Sequence, residues 1–249
     1  MRALTIAAAF WLVGGCRAAP ADGPAGSDTE DVTRSLLSTA EEERAVTREP
    51  PELLRAQQKP VDLEALGLDR GSENALVRVV EMSDYGCGYC RQFHLETWPV
   101  LARAFVESGK VEWKFLPFVN GMFPNSPHAT SAAECALEQG TGPFEAVDVR
   151  LWKDQPAWKG SSEPAALIRG WVSEAGLDMT RFDSCISEGR RDARIAAANA
   201  LSRQAGVRAT PTFFVIGYPP LQGALPAETF TRVLDMVYED ASRRAGGGD

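Results

Sequence analysis

The stretch "SDYGCGYCRQFH", Ser83 to His94, decides how the chain is read. It sets Cys87 and Cys90 three residues apart, between a run of strand formers and a helical pattern. Upstream, "NALVRVVEM" (Asn74 to Met82) is β-branched and almost continuously apolar, as a central strand covered on both faces should be. Downstream the period becomes 3.6, with Cys90, Phe93, Leu101, Ala104 and Phe105 on one side and Arg91, Gln92, Glu96 and Arg103 on the other. That spacing predicts a helix, bent or interrupted at Pro99. "KVEWKFLPF" (Lys110 to Phe118) reads as a second strand, so the unit is βαβ with a helical crossover.

From Ser126 to Gly206 the pattern is helical throughout: "PHATSAAECALEQG", "PFEAVDVRLW", "EPAALIRGWVSEAG", "DMTRFDSCISEG" and "RDARIAAANALSRQAG" follow one another with no strand between. Strand character returns at "TFFVIG" (Thr212 to Gly217), and a short strand is predicted around Leu221 to Ala224. "PAETFTRVLDMVYEDASRR" closes the pattern as an amphipathic helix. The plan is α/β: βαβ, an all-helical block, then ββα.

The ends of the chain carry a different message. The 249 residues have a net charge of -8, and the basic residues are scattered, never more than two in a row, which argues against a nucleic-acid partner. Arg2 is followed by "ALTIAAAFWLV", an apolar stretch of export-signal length. It ends in "LVGGC", where Val13, Gly14, Gly15 and Cys16 resemble the lipobox of bacterial lipoproteins. That resemblance implies cleavage before Cys16, which then carries lipid; the other reading is a plain secretory signal cleaved near "CRAAPA", with Cys16 discarded. Either way the mature protein leaves the cytoplasm, for the periplasm or the cell surface. Arg17 to Lys59 is rich in Ala, Pro, Gly, Asp and Glu and has no aromatic residue, so it reads as a solvated tether. Within it Val32, Leu36, Leu37 and Ala40 fall on one face of a short amphipathic helix. The predicted divisions are a lipoprotein signal peptide at 1–15, a tether at 16–60, an α/β part at 61–125, a helical insertion at 126–206 and a second α/β part at 207–249.

Cys87 and Cys90 admit three readings: a redox couple, half of a metal site, or a structural disulfide. In the first turn of a helix, residues i and i+3 face the same way, and the first cysteine lies over unpaired backbone N–H groups. Those donors favour a thiolate on Cys87, making it the attacking or leaving sulfur, with Cys90 the less accessible resolving cysteine. Gly88 and Tyr89, between them, tune that thiolate. A metal site would draw on Cys87, Cys90, His94 and His128, but the chain holds only 2 histidines and no second ligand pair at defined spacing. His94 is predicted on the helix surface and His128 near a helix start, so neither a metal nor a cofactor is expected.

A second mark lies far along the chain at "GVRATPTFF" (Gly206 to Phe214), where Pro211 directly precedes a buried strand and is compatible with a cis peptide. Together, "VVEMSDYGCGYCRQFH", "GVRATPTFFVIG" and the helical block between them resemble the DsbA-like thiol:disulfide oxidoreductases of the thioredoxin superfamily, over roughly Val61 to Arg244. The resemblance implies a thioredoxin-like fold with an inserted all-helical domain, and an enzyme that forms disulfides in exported proteins through its CGYC motif. It implies a cis Thr210–Pro211 bond, with the main chain of Thr210 pairing with substrate. Its partners would be exported protein or peptide thiols and a membrane redox partner. It also places Glu81 as a buried acid behind the thiols, raised in pKa by desolvation and able to take the proton of Cys90; from the pattern alone Glu81 reads equally as a solvent-facing strand end. With Cys16 lipidated and Cys87 paired with Cys90, Cys135 and Cys185 remain for a structural disulfide, or for two inert thiols. Two departures bear on the direction of catalysis. Many relatives carry Pro or His where this chain has Gly88 and Tyr89, and Thr210 before the proline also occurs in isomerase and reductase branches. A disulfide reductase or isomerase is therefore the alternative, and a metallochaperone a more distant one.

Overall fold

Strand β2 (Val77–Ser83) is buried along its length except at half-buried Arg78, because its alternate side chains serve two different cores. Val77 and Val79 pack with Phe93, Leu101, Phe105, Trp113 and Phe213, while Val80 and Met82 pack with Leu116, Phe118, Ala198 and Val207 on the opposite face. Glu81 has the parity of Val79 and so projects into the aromatic face. The structure, a computed structural model, describes residues 63–246. The signal peptide, Cys16 and the tether read from the sequence lie outside the described residues.

Around β2 stand β1 (Leu68–Arg70), β3 (Val111–Pro117), β4 (Thr212–Val215) and β5 (Leu221–Gln222), in the order β1-β3-β2-β4-β5. β2 and β3 are parallel, in register from Val77↔Val111 to Ser83↔Pro117, and the other pairs are antiparallel. β1 is additional to the strands read from the sequence. Its pairing nevertheless matters to the second core: Asp69 lies opposite Lys114, and this fully buried ammonium donates to the Asp69 carboxylate at 2.6 Å and to the Leu66 carbonyl at 3.0 Å. A buried lysine needs such partners to stay charged.

The crossover helix begins at Gly88. It runs through α1 (Gly88–Gln92), a wide π-helical turn (Phe93–Thr97), α2 (Trp98–Leu101) and a second wide turn (Ala102–Val106). In the first wide turn the Trp98 N–H donates to the Phe93 carbonyl, one residue further back than in an α-helix. The interruption predicted at Pro99, which has no N–H to give, takes this form.

Between β3 and β4 come α3 (Ser126–Leu137), α4 (Thr141–Lys153), α5 (Gln155–Lys159), α6 (Pro164–Glu174), α7 (Met179–Ser187) and α8 (Asp192–Gln204). The short α5 is additional to the segments read from the sequence. Small residues on α3, namely Ala129, Ala132, Ala133 and Ala136, are fully or almost fully buried and admit Leu151, Trp152, Ile168 and Phe182 close to its axis. Cys135 of α3 and Cys185 of α7 are disulfide-bonded, closing a separation of 50 residues. Tyr85, Cys87, Cys90 and Phe115 belong to this same apolar cluster, so the core of the helical block extends beneath Cys87 and Cys90. The sheet is covered on its aromatic face by α9 (Ala227–Gly246), through Phe230, Leu234 and Val237, and on the other by α8, through Ala198. Among the described residues no helix is long and apolar enough to cross a membrane.

Candidate active site

β2 ends at Ser83, and the chain must turn sharply before the helix starts. The turn is closed on Asp84, whose carbonyl accepts from Cys87 N–H at 2.9 Å and whose carboxylate accepts from Gly86 N–H at 2.8 Å and from the Ser126 hydroxyl. Gly86 is needed there: a Cβ at that position would come within 2.4 Å of Phe123 Cβ. Cys87 has extended backbone angles (φ -79°, ψ 125°) just ahead of the first helical residue, and its carbonyl accepts from Arg91 N–H at 3.1 Å. Cys90 lies one turn inside the helix and is completely buried. Both cysteines are free thiols.

Two side chains of α5 hold this loop from the helical block. Gln155 Nε2 donates to the carbonyls of Tyr85 (2.6 Å) and Cys87 (2.9 Å), and Lys159 Nζ donates to that of Gly86 (2.6 Å). The same ammonium sits 4.6 Å from the centre of the Phe123 ring. Tyr85 is fixed below by a 2.6 Å hydrogen bond from its hydroxyl to Asp148 and by its ring 4.4 Å from that of Trp152.

On the other side of Cys87 stands the loop before β4. The Thr210–Pro211 peptide is cis, and Cys87 Sγ donates to the Thr210 carbonyl at 3.3 Å. Gly88 faces open space, and Tyr89 is 68% exposed. Beside them lies a cavity of about 500 Å3, lined by Cys87, Tyr89, Met122, Phe123, Arg208 and Thr210 among others.

The two thiols are held in opposite protonation tendencies. Cys87 is lowered from an ordinary 9.0 to about 5, first by the hydrogen bond from Cys90 and then, against the opposing effect of burial, by Thr210 and the N–H groups of Cys90 and Tyr89. Cys90 is pushed well up, first by burial and then by the hydrogen bond to Cys87 and its charge. Burial likewise pushes the Asp84 carboxyl up.

Behind the thiols the structure corrects two expectations. Glu81 is completely buried, but its carboxyl is not raised. Desolvation does push it up, and is outweighed by the charge of His94 and by hydrogen bonds from His94, Ser83 and Trp113, leaving it below the usual carboxylate range. The Trp113 indole donates to Oε2 at 2.9 Å, the Ser83 hydroxyl donates to Oε1, and His94 Nε2 stands 2.7 Å from Oε1. His94 is accordingly not a helix-surface residue. It is buried, stacked 4.2 Å from the Trp152 ring at an interplanar angle of 7°. It could have been placed from its spacing, since it follows Cys90 by four positions and such residues share a helix face. His128 lies in the first turn of α3 and is exposed. Nothing in the linear sequence marked Ser83, Gln155 or Lys159, which reach the site through the pairing of β2 and the docking of the helical block.

A dithiol at a helix start, faced by a cis-proline loop and backed by a buried acid, on a mixed sheet interrupted by helices, defines a class of α/β thiol proteins. The chain belongs to the thioredoxin family: residues 67–236 match the family model described as Thioredoxin. Among curated proteins it is similar to Na(+)/H(+) antiporter NhaA 3 of Salinispora tropica, with 32% identity over 72% of this chain and 26% of the antiporter. It is also similar to Disulfide bond formation protein D of Bacillus subtilis, with 26% identity over 58% of this chain and 65% of that protein. The chain thus spans about a quarter of the length of the first of these relatives. Among solved structures it resembles oxidised BdbD from Bacillus subtilis, with a TM-score of 0.64 and 18% identity, over 72% of this chain and 95% of that one. The fold is thioredoxin-like with a helical insertion.

Proposed function

We propose that the protein is a thiol:disulfide oxidoreductase that forms disulfides in exported proteins, working through Cys87 and Cys90. The observation that carries this reading is Cys87 itself: a sulfur at a helix start, lowered to about 5 and set 3.3 Å from the carbonyl of the cis-proline loop. In the oxidised enzyme a substrate thiolate attacks Cys87 and the Cys87–Cys90 bond breaks, Cys90 leaving with the electron pair and taking up a proton. A second substrate thiolate then attacks the substrate sulfur of the mixed disulfide; the substrate disulfide forms and Cys87 leaves as a stabilised thiolate. The carbonyl and N–H of Thr210 offer main-chain pairing to an extended peptide, and the apolar cavity beside Tyr89 and Met122 suits its side chains. An easily formed thiolate stabilises the dithiol and makes the disulfide an oxidant. Likeness to Disulfide bond formation protein D supports the same direction. Export and attachment through a lipidated Cys16 would place this chemistry outside the cytoplasm, where disulfides persist. A reductase or isomerase fed by a membrane partner is the second reading, favoured by Thr210 ahead of the cis proline and by Gly88 after Cys87.

The test is equilibration of the full chain with glutathione buffers. The oxidase reading expects a potential clearly less negative than thioredoxin's, about -270 mV. A potential at that value, with Cys87 titrating as an ordinary thiol, would leave the reductase or isomerase standing.

A further inference from the structure

The cavity beside Cys87 has mostly apolar walls and holds one cation, Arg208, with no Asp or Glu among its lining residues. Arg208 is exposed and, among the described residues, makes no ion pair and no side-chain hydrogen bond. Several exposed guanidinium groups elsewhere find carboxylates: Arg169 grips Asp183 through two bonds of 2.7 Å, and Arg190 meets Glu138 at 2.8 Å. Acids adjoining the lining are already engaged, since Glu96 accepts from the Gln92 amide at 3.0 Å and Asp84 from Gly86 N–H at 2.8 Å. Resting on the thiol-exchange reading above, we infer that Arg208 is a specificity-determining residue that directs the site toward acidic peptides, by pairing with an Asp or Glu beside the substrate cysteine.

Position and chemistry both favour a carboxylate on the peptide. Arg208 shares the cavity wall with Cys87 and with Thr210, whose main chain is offered to an extended substrate, so residues flanking the reacting cysteine run along that wall. A guanidinium presents a planar fork of donors that matches a carboxylate with two parallel bonds. A second cation adds to the field: Lys159 Nζ lies 4.6 Å from the centre of the Phe123 ring, another part of the lining, and donates to the Gly86 carbonyl. A small anion would satisfy Arg208 and leave the apolar walls bare. A purely apolar peptide would cover the walls and strip water from a guanidinium left without a partner, which costs free energy. The ligand that answers both is a peptide carrying an apolar and an acidic side chain next to its cysteine. The chain as a whole bears a charge of -8 and repels such segments at long range, so the attraction is local to these two cations.

The test mixes the oxidised full chain with synthetic dithiol peptides that differ only in the residues flanking their cysteines, Glu in one and Lys in the other, and measures the rate constant for oxidation of each. A flanking charge also changes the peptide thiol itself, so the quantity compared is the Glu-to-Lys rate ratio in the parental chain divided by the same ratio in Arg208→Gln. That quotient should be about tenfold, the scale of one exposed charge attracting one peptide and repelling the other. In Arg208→Glu the ratio should fall below that of Arg208→Gln, and salt at about 0.5 M should draw the parental ratio toward the Gln variant's. Equal ratios in all three proteins overturn the assignment. Peptides with serine for both cysteines cannot exchange, and their binding, followed by fluorescence anisotropy, separates this inference from the reading beneath it. A charge-ordered affinity without oxidation of the dithiol peptides would sink thiol exchange and keep the selectivity of Arg208; oxidation with no dependence on peptide charge would sink the selectivity alone.

Discussion

Cys87 and Cys90 share a side chain and differ in surroundings, and the difference assigns their proposed roles. Cys87 has the Thr210 carbonyl and the cavity on one side and helix N–H groups on the other, whereas Cys90 is enclosed. Cys90→Ala should therefore accumulate mixed disulfides through Cys87, while Cys87→Ala accumulates few; equal trapping on non-reducing gels would reverse or erase the assignment. Because Cys87 is lowered from 9.0 to about 5, its alkylation rate should climb through pH 5 and level off by neutrality, where an ordinary thiol is still climbing. The same shift has a sign for stability. A depressed folded-state value stabilises the reduced protein fully above 9.0, less as the pH falls, and not at all below about 5. The urea midpoint of the reduced chain relative to Cys87→Ser should accordingly rise between those limits. The cysteine spacing was legible because it is local. The state of Glu81 was not, because its direction depends on His94 and Trp113, which reach it from the helix and from β3.

At the scale of elements, α5 is the least conspicuous helix in the sequence, only five residues long with a proline in its first turn. It nonetheless holds three successive carbonyls of the active-site loop. Gln155→Ala would leave the Tyr85 carbonyl without its side-chain donor, while the Cys87 carbonyl keeps the Arg91 N–H. That should cost about 1–3 kcal/mol in a urea melt and raise amide hydrogen exchange in the loop from Tyr85 to Tyr89. An unchanged midpoint with unchanged exchange would show that the clamp does not hold the loop. Periodicity identified the longer helices because each buries a continuous stripe, as α9 does with Phe230, Leu234 and Val237. It gave no sign of α5, which is held by side chain to backbone bonds, or of β1, which is three residues on a sheet edge.

For the whole molecule, the α/β plan was readable because β2 and β3 are short runs rich in β-branched and aromatic residues and the block between β3 and β4 holds no strand pattern. The contact between the block and the sheet was not readable, since Gln155, Lys159 and Trp152 meet the loop and His94 only after folding. The proposed anchor acts at this scale too. Cys16 lies outside the described residues. If it carries two or more acyl chains, attachment to a membrane is stable. Cys16→Ser should then shift the protein from the membrane to the soluble fraction, and equal membrane recovery would refute the lipid anchor.

The wide turn at Phe93–Thr97 sets a limit on how this chain can vary in length. In a regular α-helix Leu101 would follow Cys90 by about three turns and point the same way. The surplus residue in the wide turn swings Leu101 into line with Phe93 instead, so that one helix delivers Cys90 to the core of the helical block and Phe93, Leu101 and Phe105 to the core of the sheet. Many substitutions at exposed Leu95 would leave that division intact. Loss of a single residue there would not: with the turn closed, every side chain beyond it would rotate by about 100°, and Leu101 and Phe105 would abandon the aromatic core for the space beneath the thiols.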